Sequence, residues 1–158
     1  MMTGFARDEV CDDEAIASSS DASLLITAAT PHEVDEIALR IHLCSRRALS
    51  PLVRVLARDL PVDPGLLADH CGELLEAATG GSLLIDDVED MPPAVQPVLI
   101  ELLQRLQRSR KSEPGIRVIA GTTVSLMDLM SAGRFSERLF YRLNVIHVLS
   151  SAAEAPLD

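Results

Sequence analysis

The chain has 158 residues, a formal charge of −10 and a pI near 4.7, with 47% hydrophobic residues, 3% aromatic residues and no tryptophan. That length suits one domain with a sizeable core, which must be aliphatic. The acidic balance argues against direct binding to duplex DNA, which needs a basic face; no apolar run is long enough for a membrane span; and three cysteines without paired spacing, Cys11, Cys44 and Cys71, do not make a disulfide framework.

Residues 1–22 are acidic and serine-rich (Asp8, Glu9, Asp12, Asp13, Glu14, then Ser18-Ser19-Ser20) and read as a flexible lead-in. They lack the basic-then-apolar pattern of a secretory signal, so a soluble cytoplasmic protein is expected. A folded domain is expected over 23–150, with a polar tail at 151–158. Its first strand is Ser23–Thr27. Thr30-Pro31-His32-Glu33 then starts a helix: Thr30 can cap, Pro31 suits the first position, and Glu33 completes a capping box. Val34, Ile37, Ala38 and Ile41 share one face of that helix, which should run to about Arg47.

Leu52–Leu56 reads as the second strand. Pro61, Pro64 and Gly65 mark a turn before a helix over about Leu66–Ala77. Gly80-Gly81 leads into the third strand, Ser82–Asp86, whose near-continuous apolar run predicts a central position. Pro92-Pro93 opens a long helix ending near Arg110, provided Pro97 lies in its first turn. A fourth strand (Ile116–Ala120), two short helices (about Ser125–Ala132 and Phe135–Leu143) and a last strand (Val145–Leu149) complete the domain. Strands alternating with helices predict a three-layer α/β fold with a mainly parallel sheet.

Two basic clusters stand against the acidic background: Arg46, Arg47, Arg54 and Arg58, and then Arg105, Arg108, Arg110 and Lys111 at a helix end. His32, His42, His70 and His147 show no metal-ligand spacing with the cysteines, so no metal site is expected.

Three segments together resemble the central AAA+ domain of sigma-54-dependent transcription activators. Gly80 to Gln96, with Leu83-Leu84-Ile85-Asp86-Asp87 at its centre, is similar to the family's Walker B strand and following helix. Arg117 to Thr123 is similar to its sensor I strand, and Gly133 to Val145 to its arginine-finger region. The likeness covers about residues 23–149. It implies a P-loop NTPase-like core with a five-stranded parallel sheet; in active relatives that core forms a ring, hydrolyses ATP between subunits and remodels the sigma-54 polymerase.

Matched residue by residue, the phosphate-binding loop falls on Ala28-Ala29-Thr30-Pro31-His32-Glu33-Val34-Asp35. A working loop offers glycine amides and a lysine. Here Val34 stands at the lysine position, Pro31 deletes an amide, and Glu33, Asp35 and Glu36 bring carboxylates. Asp86 matches the magnesium-associated aspartate. Asp87 replaces the water-positioning glutamate with a shorter acid. Thr123 takes the sensor I position, Ser136 that of the first arginine finger and Arg142 that of the second. Arg138 stands where an acid is usual. The family's sigma-54-contacting loop, glycine-alanine-phenylalanine-threonine-glycine-alanine, has no counterpart between Ala57 and Gly81. No lid subdomain or DNA-binding helix-turn-helix is expected from the residues after Leu149.

The expectation is a non-catalytic AAA+-like module without cofactor, working in transcription control through contacts with itself, a related activator or the sigma-54 polymerase machinery. The helix pair Ser125–Leu143 is its expected interface. The alternative is a residual ATP-binding or ATPase domain of a sigma-54-dependent response regulator, using ATP and magnesium, with Asp86, Asp87, Thr123 and Arg142 as vestigial site residues.

Overall fold

Successive residues of a strand face opposite sides of its sheet, so a strand apolar throughout must be covered on both faces. The computed structural model describes residues 13–108 and 115–150. It contains strands β1 (Leu24–Thr27), β2 (Leu52–Leu56), β3 (Ser82–Asp86), β4 (Arg117–Thr122) and β5 (Ile146–Leu149). They form one parallel sheet in the order β2-β3-β4-β1-β5. The run Ser82–Asp86 lies inside the sheet with every residue buried, as its composition requires.

Residues 13–19 form a first helix, α1. It is followed by α2 (Pro31–Leu43), α3 (Pro64–Ala78), α4 (Gln96–Arg108), α5 (Leu126–Ser131) and α6 (Glu137–Leu143). On one face, Leu24, Ile26, Leu84 and Ile119 pack with Val34, Ile37, Ala38 and Ile41 of α2 and Ala17 of α1. On the other, Leu25, Leu83, Ile85, Val118 and Ala120 pack under Leu67, Leu99, Leu103, Leu139 and Leu143. The expected three-layer α/β architecture is therefore present.

Three boundaries differ from expectation. The lead-in is not loose throughout: Ala17 is fully buried, Glu14 bonds Arg40 at 2.7 Å, and Asp21 pairs with both Arg46 and Arg47. Helix α2 stops at Leu43, short of Arg47, because the Ser45 hydroxyl takes the carbonyl of His42 and the chain turns inward. Helix α4 begins at Gln96 rather than at Pro92-Pro93. A 3-10 turn at Val88–Asp90 and buried Met91 and Val95 hold the preceding segment against the core. Pro97 thus falls in the first turn, where it removes no intrahelical bond. The end expected near Arg110 lies outside the described residues.

The basic cluster of the first half does not form a patch. Arg47 is buried, Arg46 is paired, and Arg54 points into an acidic corner. His42 is also a core residue, its ring 2.8 Å from the Ser50 carbonyl and 3.0 Å from the Ser82 hydroxyl. Among the described residues no helix is long and apolar enough to cross a membrane.

Candidate functional site

In open parallel sheets, ligands enter at the carboxyl ends of strands whose connections leave toward opposite faces. Here β1 continues into α2 on one face, and β4 into α5 on the other. The turn from β1 to α2 consists of Ala28, Ala29 and Thr30. Thr30 is extended and caps the helix, its hydroxyl accepting from the Glu33 amide at 3.2 Å. Glu33 reaches back, and its Oε2 accepts from the Ala29 amide at 3.2 Å. The amides of a helix N-terminus are what attract anions; here the chain's own side chains take the Glu33 amide at the helix start and the Ala29 amide of the turn before it. Replacing Thr30 by alanine should cost about 1 kcal/mol. A thermal melt would show the loss, and an unchanged midpoint would mean that the cap contributes nothing.

Val34, at the lysine position, is 2% exposed and buried against the sheet. A Cβ built on Gly121 would lie 2.4 Å from Val34 Cγ1 and 3.0 Å from Asp86 Oδ1, so α2 rests on β4 with no room between them. The Val34 side chain packs down into the core with Ile37, Ala38 and Ile119.

Asp86 ends β3 and is 2% exposed. Arg54 of β2 donates from Nε to its Oδ2 at 2.5 Å, and the same nitrogen lies 3.4 Å from Oδ1 of Asp35 on α2. Burial, and then the hydrogen bond shared with Asp35, push the Asp86 carboxyl up to about 7 against the pull of Arg54. Asp35 therefore does not face the β1–α2 turn as expected. It faces Arg54 and Asp86, and a cation reaches this corner from a strand nowhere near it in sequence. Glu36 is exposed and pairs with His32 at 3.0 Å.

The other matched positions lie further along the strand ends. Asp87 adopts a left-handed conformation, φ 52°, directly after β3. Aspartate tolerates this better than most residues. Thr123 is half-buried at a cavity of about 930 Å³, with Thr27, Ala28, Ala29, Met127, Tyr141 and His147 among its walls. Its neighbour Thr122 is buried and donates to Glu89 at 2.8 Å; burial raises the Glu89 carboxyl. Ser136, at the first finger position, caps α6 by accepting from the Leu139 amide. Arg138 is exposed, and Arg142 donates to Gln107 at 3.1 Å.

The structure thus brings Val34, Asp35 and Asp86 together, while Ser136 caps α6 and Arg142 pairs with Gln107. Arg54, Thr122 and Gln96 are not legible as site residues in the sequence. Gln96 is buried and ties Met91 to Ser136, accepting from the Ser136 amide at 3.0 Å. An arginine inside an otherwise apolar strand, Leu52-Val53-Arg54-Val55, was the one available signal. Among the described residues no three metal-donor side chains converge. The segment Ala57–Gly81 holds a 3-10 turn and an uninterrupted α3.

The Ala29 amide is taken by Glu33, Val34 is buried, and Arg54 sits on the Asp86 carboxylate.

The family described as the Sigma-54 interaction domain matches residues 65–149. Regulatory protein AtoC of Escherichia coli K12 is 34% identical over 91% of this chain, and SfnR of Pseudomonas fluorescens is 34% identical over 88%. The chain spans 35% of the first and 43% of the second. Among solved structures, NtrX from Brucella abortus in complex with ATP superposes with a TM-score of 0.76 at 27% identity, over 94% of this chain and 37% of that one. The P-loop NTPase domain of an E. coli sigma-54 activator shares the fold, with a TM-score of 0.68 at 19% identity over 94% of this chain and 96% of that one.

Proposed function

The chain belongs to the Sigma-54 interaction domain family, and from that membership we propose a module that works in transcription control by protein contacts and neither binds nor hydrolyses ATP. The Arg54 bridge between Asp35 and Asp86 carries this reading. An arginine is a permanent cation of fixed geometry, and it holds the acid that a metal would need. Glu33 on the Ala29 amide and buried Val34 support it independently.

The contact surface is the α5–α6 side, where Val124, Met127, Tyr141 and Leu149 are exposed around the 930 Å³ cavity. Clustered exposed apolar side chains of this kind mark association surfaces. The partner is a related AAA+ activator or another copy of the chain, acting on the sigma-54 polymerase machinery. The folded module takes in α1 together with 23–150, since Ala17 lies in the same core as α2.

Calorimetry with ATP and magnesium tests the first half of the proposal. No heat is expected at about 1 mM nucleotide, where binding free energies near −4 kcal/mol remain visible. Val34→Lys alone should not restore binding, because Glu33 and Arg54 stay in place. Saturable heat from the unaltered chain would overturn the reading. Light scattering with an intact activator domain tests the second half: a mixed species supports it, and two unchanged masses count against it.

A further inference from the structure

The cavity of about 930 Å³ opens where β1, β4 and β5 end, with Met127 of α5 and Phe140 and Tyr141 of α6 in its wall. That volume suits a small organic molecule. Its aromatic content is concentrated. The chain holds three phenylalanines, one tyrosine and no tryptophan, and Phe140 and Tyr141 both line this one space. Their rings meet edge to face, 5.4 Å apart at 74°, an arrangement that a further flat ring can extend.

Charge limits what can enter. Among the described residues the wall holds no lysine or arginine. Partial burial pushes the His147 imidazole below its ordinary value, so it is neutral above pH 7. Asp128 is the one acid of the wall and is exposed. An anion would therefore lose hydration here without gaining a counter-charge. The polar groups narrow the choice further. Thr27 Oγ1 and His147 Nε2 lie 2.9 Å apart and satisfy each other. Asn144 differs: its backbone amide is fixed on the Phe140 carbonyl at 2.8 Å, yet its side-chain Oδ1 is buried with no hydrogen-bond partner. Buried acceptors are rarely left alone.

We propose that this cavity binds a small, uncharged, planar molecule whose ring packs beside Phe140 and Tyr141 and whose N–H donates to Asn144 Oδ1. Rotation about the Asn144 Cβ–Cγ bond, a soft torsion, presents the acceptor to the ligand. The inference goes beyond the protein-contact reading. It concerns what fills the cavity, not what covers its rim, and it holds whether or not the chain meets a partner.

Indole is the probe, being flat, uncharged and a single N–H donor. In the full chain labelled with methyl-13C methionine, the Met127 signal should shift saturably, with a midpoint at about 1 mM or below. Met91, buried beside a different cavity, should not move. Benzofuran has the same shape with oxygen in place of the N–H, and should bind about fivefold more weakly. Indole-3-acetate adds a carboxylate and should bind at least about tenfold more weakly. Asn144→Leu should bring indole down to the benzofuran level and leave benzofuran unchanged. Ala29→Phe, at an exposed position of the wall, should abolish the Met127 shift with an unchanged melting midpoint. An unsaturable Met127 shift, or equal shifts at Met127 and Met91, overturns the proposal. So does benzofuran binding as tightly as indole, a comparison that decides the matter even if Asn144→Leu fails to fold.

Discussion

Replacing Arg47 by alanine is expected to lower the unfolding free energy by about 3–5 kcal/mol, the range for removing one partner of a buried charged network. Its Nη1 donates to the carbonyls of Gly80 at 3.0 Å, Gly81 at 3.1 Å and Gly115 at 2.6 Å, and its Nε to Asp21 at 3.2 Å. Those carbonyls lie where the chain enters β3 and approaches β4, so one guanidinium ties two strand entries to the turn after α2. Without it they lose their donor in a place water reaches poorly. Although burial opposes it, Arg47 together with Arg46 also holds the Asp21 carboxyl below its ordinary range.

The backbone at this point cannot adjust. A Cβ on Gly81 would lie 1.9 Å from the Pro51 carbonyl oxygen, and Gly80 has φ 80°. Arg47→Lys should recover less than half of the loss, since an ammonium on a flexible stem does not reproduce the planar fork. Urea unfolding of the three proteins measures both differences. A loss below about 1 kcal/mol for Arg47→Ala would show the network to be replaceable by solvent.

The second large effect is a pH dependence centred on Asp86. Its carboxyl rises from an ordinary value of 3.8 to about 7 in the folded chain. Protonation therefore favours the folded state: the contribution is complete below about pH 4 and is lost as pH rises through about 7. Between pH 5 and 8 the unaltered chain should lose on the order of 3 kcal/mol on this account. Asp86→Asn keeps the shape and carries no proton to lose, so the variant should be flatter in pH and more stable than the unaltered chain at pH 8. Arg54 would then remain paired with Asp35 alone. Melting both proteins at pH 5.5 and pH 8 isolates the difference from the titration of other acids. Parallel curves for the two proteins would mean that Asp86 is already ionised beside Arg54.

Much of the fold was legible because its signals are local. The alternation that splits Leu24 and Ile26 from Leu25 is set by strand geometry alone. Likewise, Thr30-Pro31-His32-Glu33 starts a helix wherever it occurs, and the Thr30 cap is present. The limits of α2 and α4 were less legible. The Ser45 hydroxyl and buried Met91 and Val95 compete with helix propensity there, and burial decides.

The sequence by itself determined the parallel α/β frame and the family, because periodicity, motif spacing and residue identity all lie along the chain. Only the tertiary structure decided that Arg54 meets Asp35 and Asp86, and that Arg47 closes the far end of the sheet. These contacts join residues 32 and 68 positions apart. They exist only once β2 has paired with β3 and the chain has packed around the sheet, and charge written along a sequence does not say which partner it will meet.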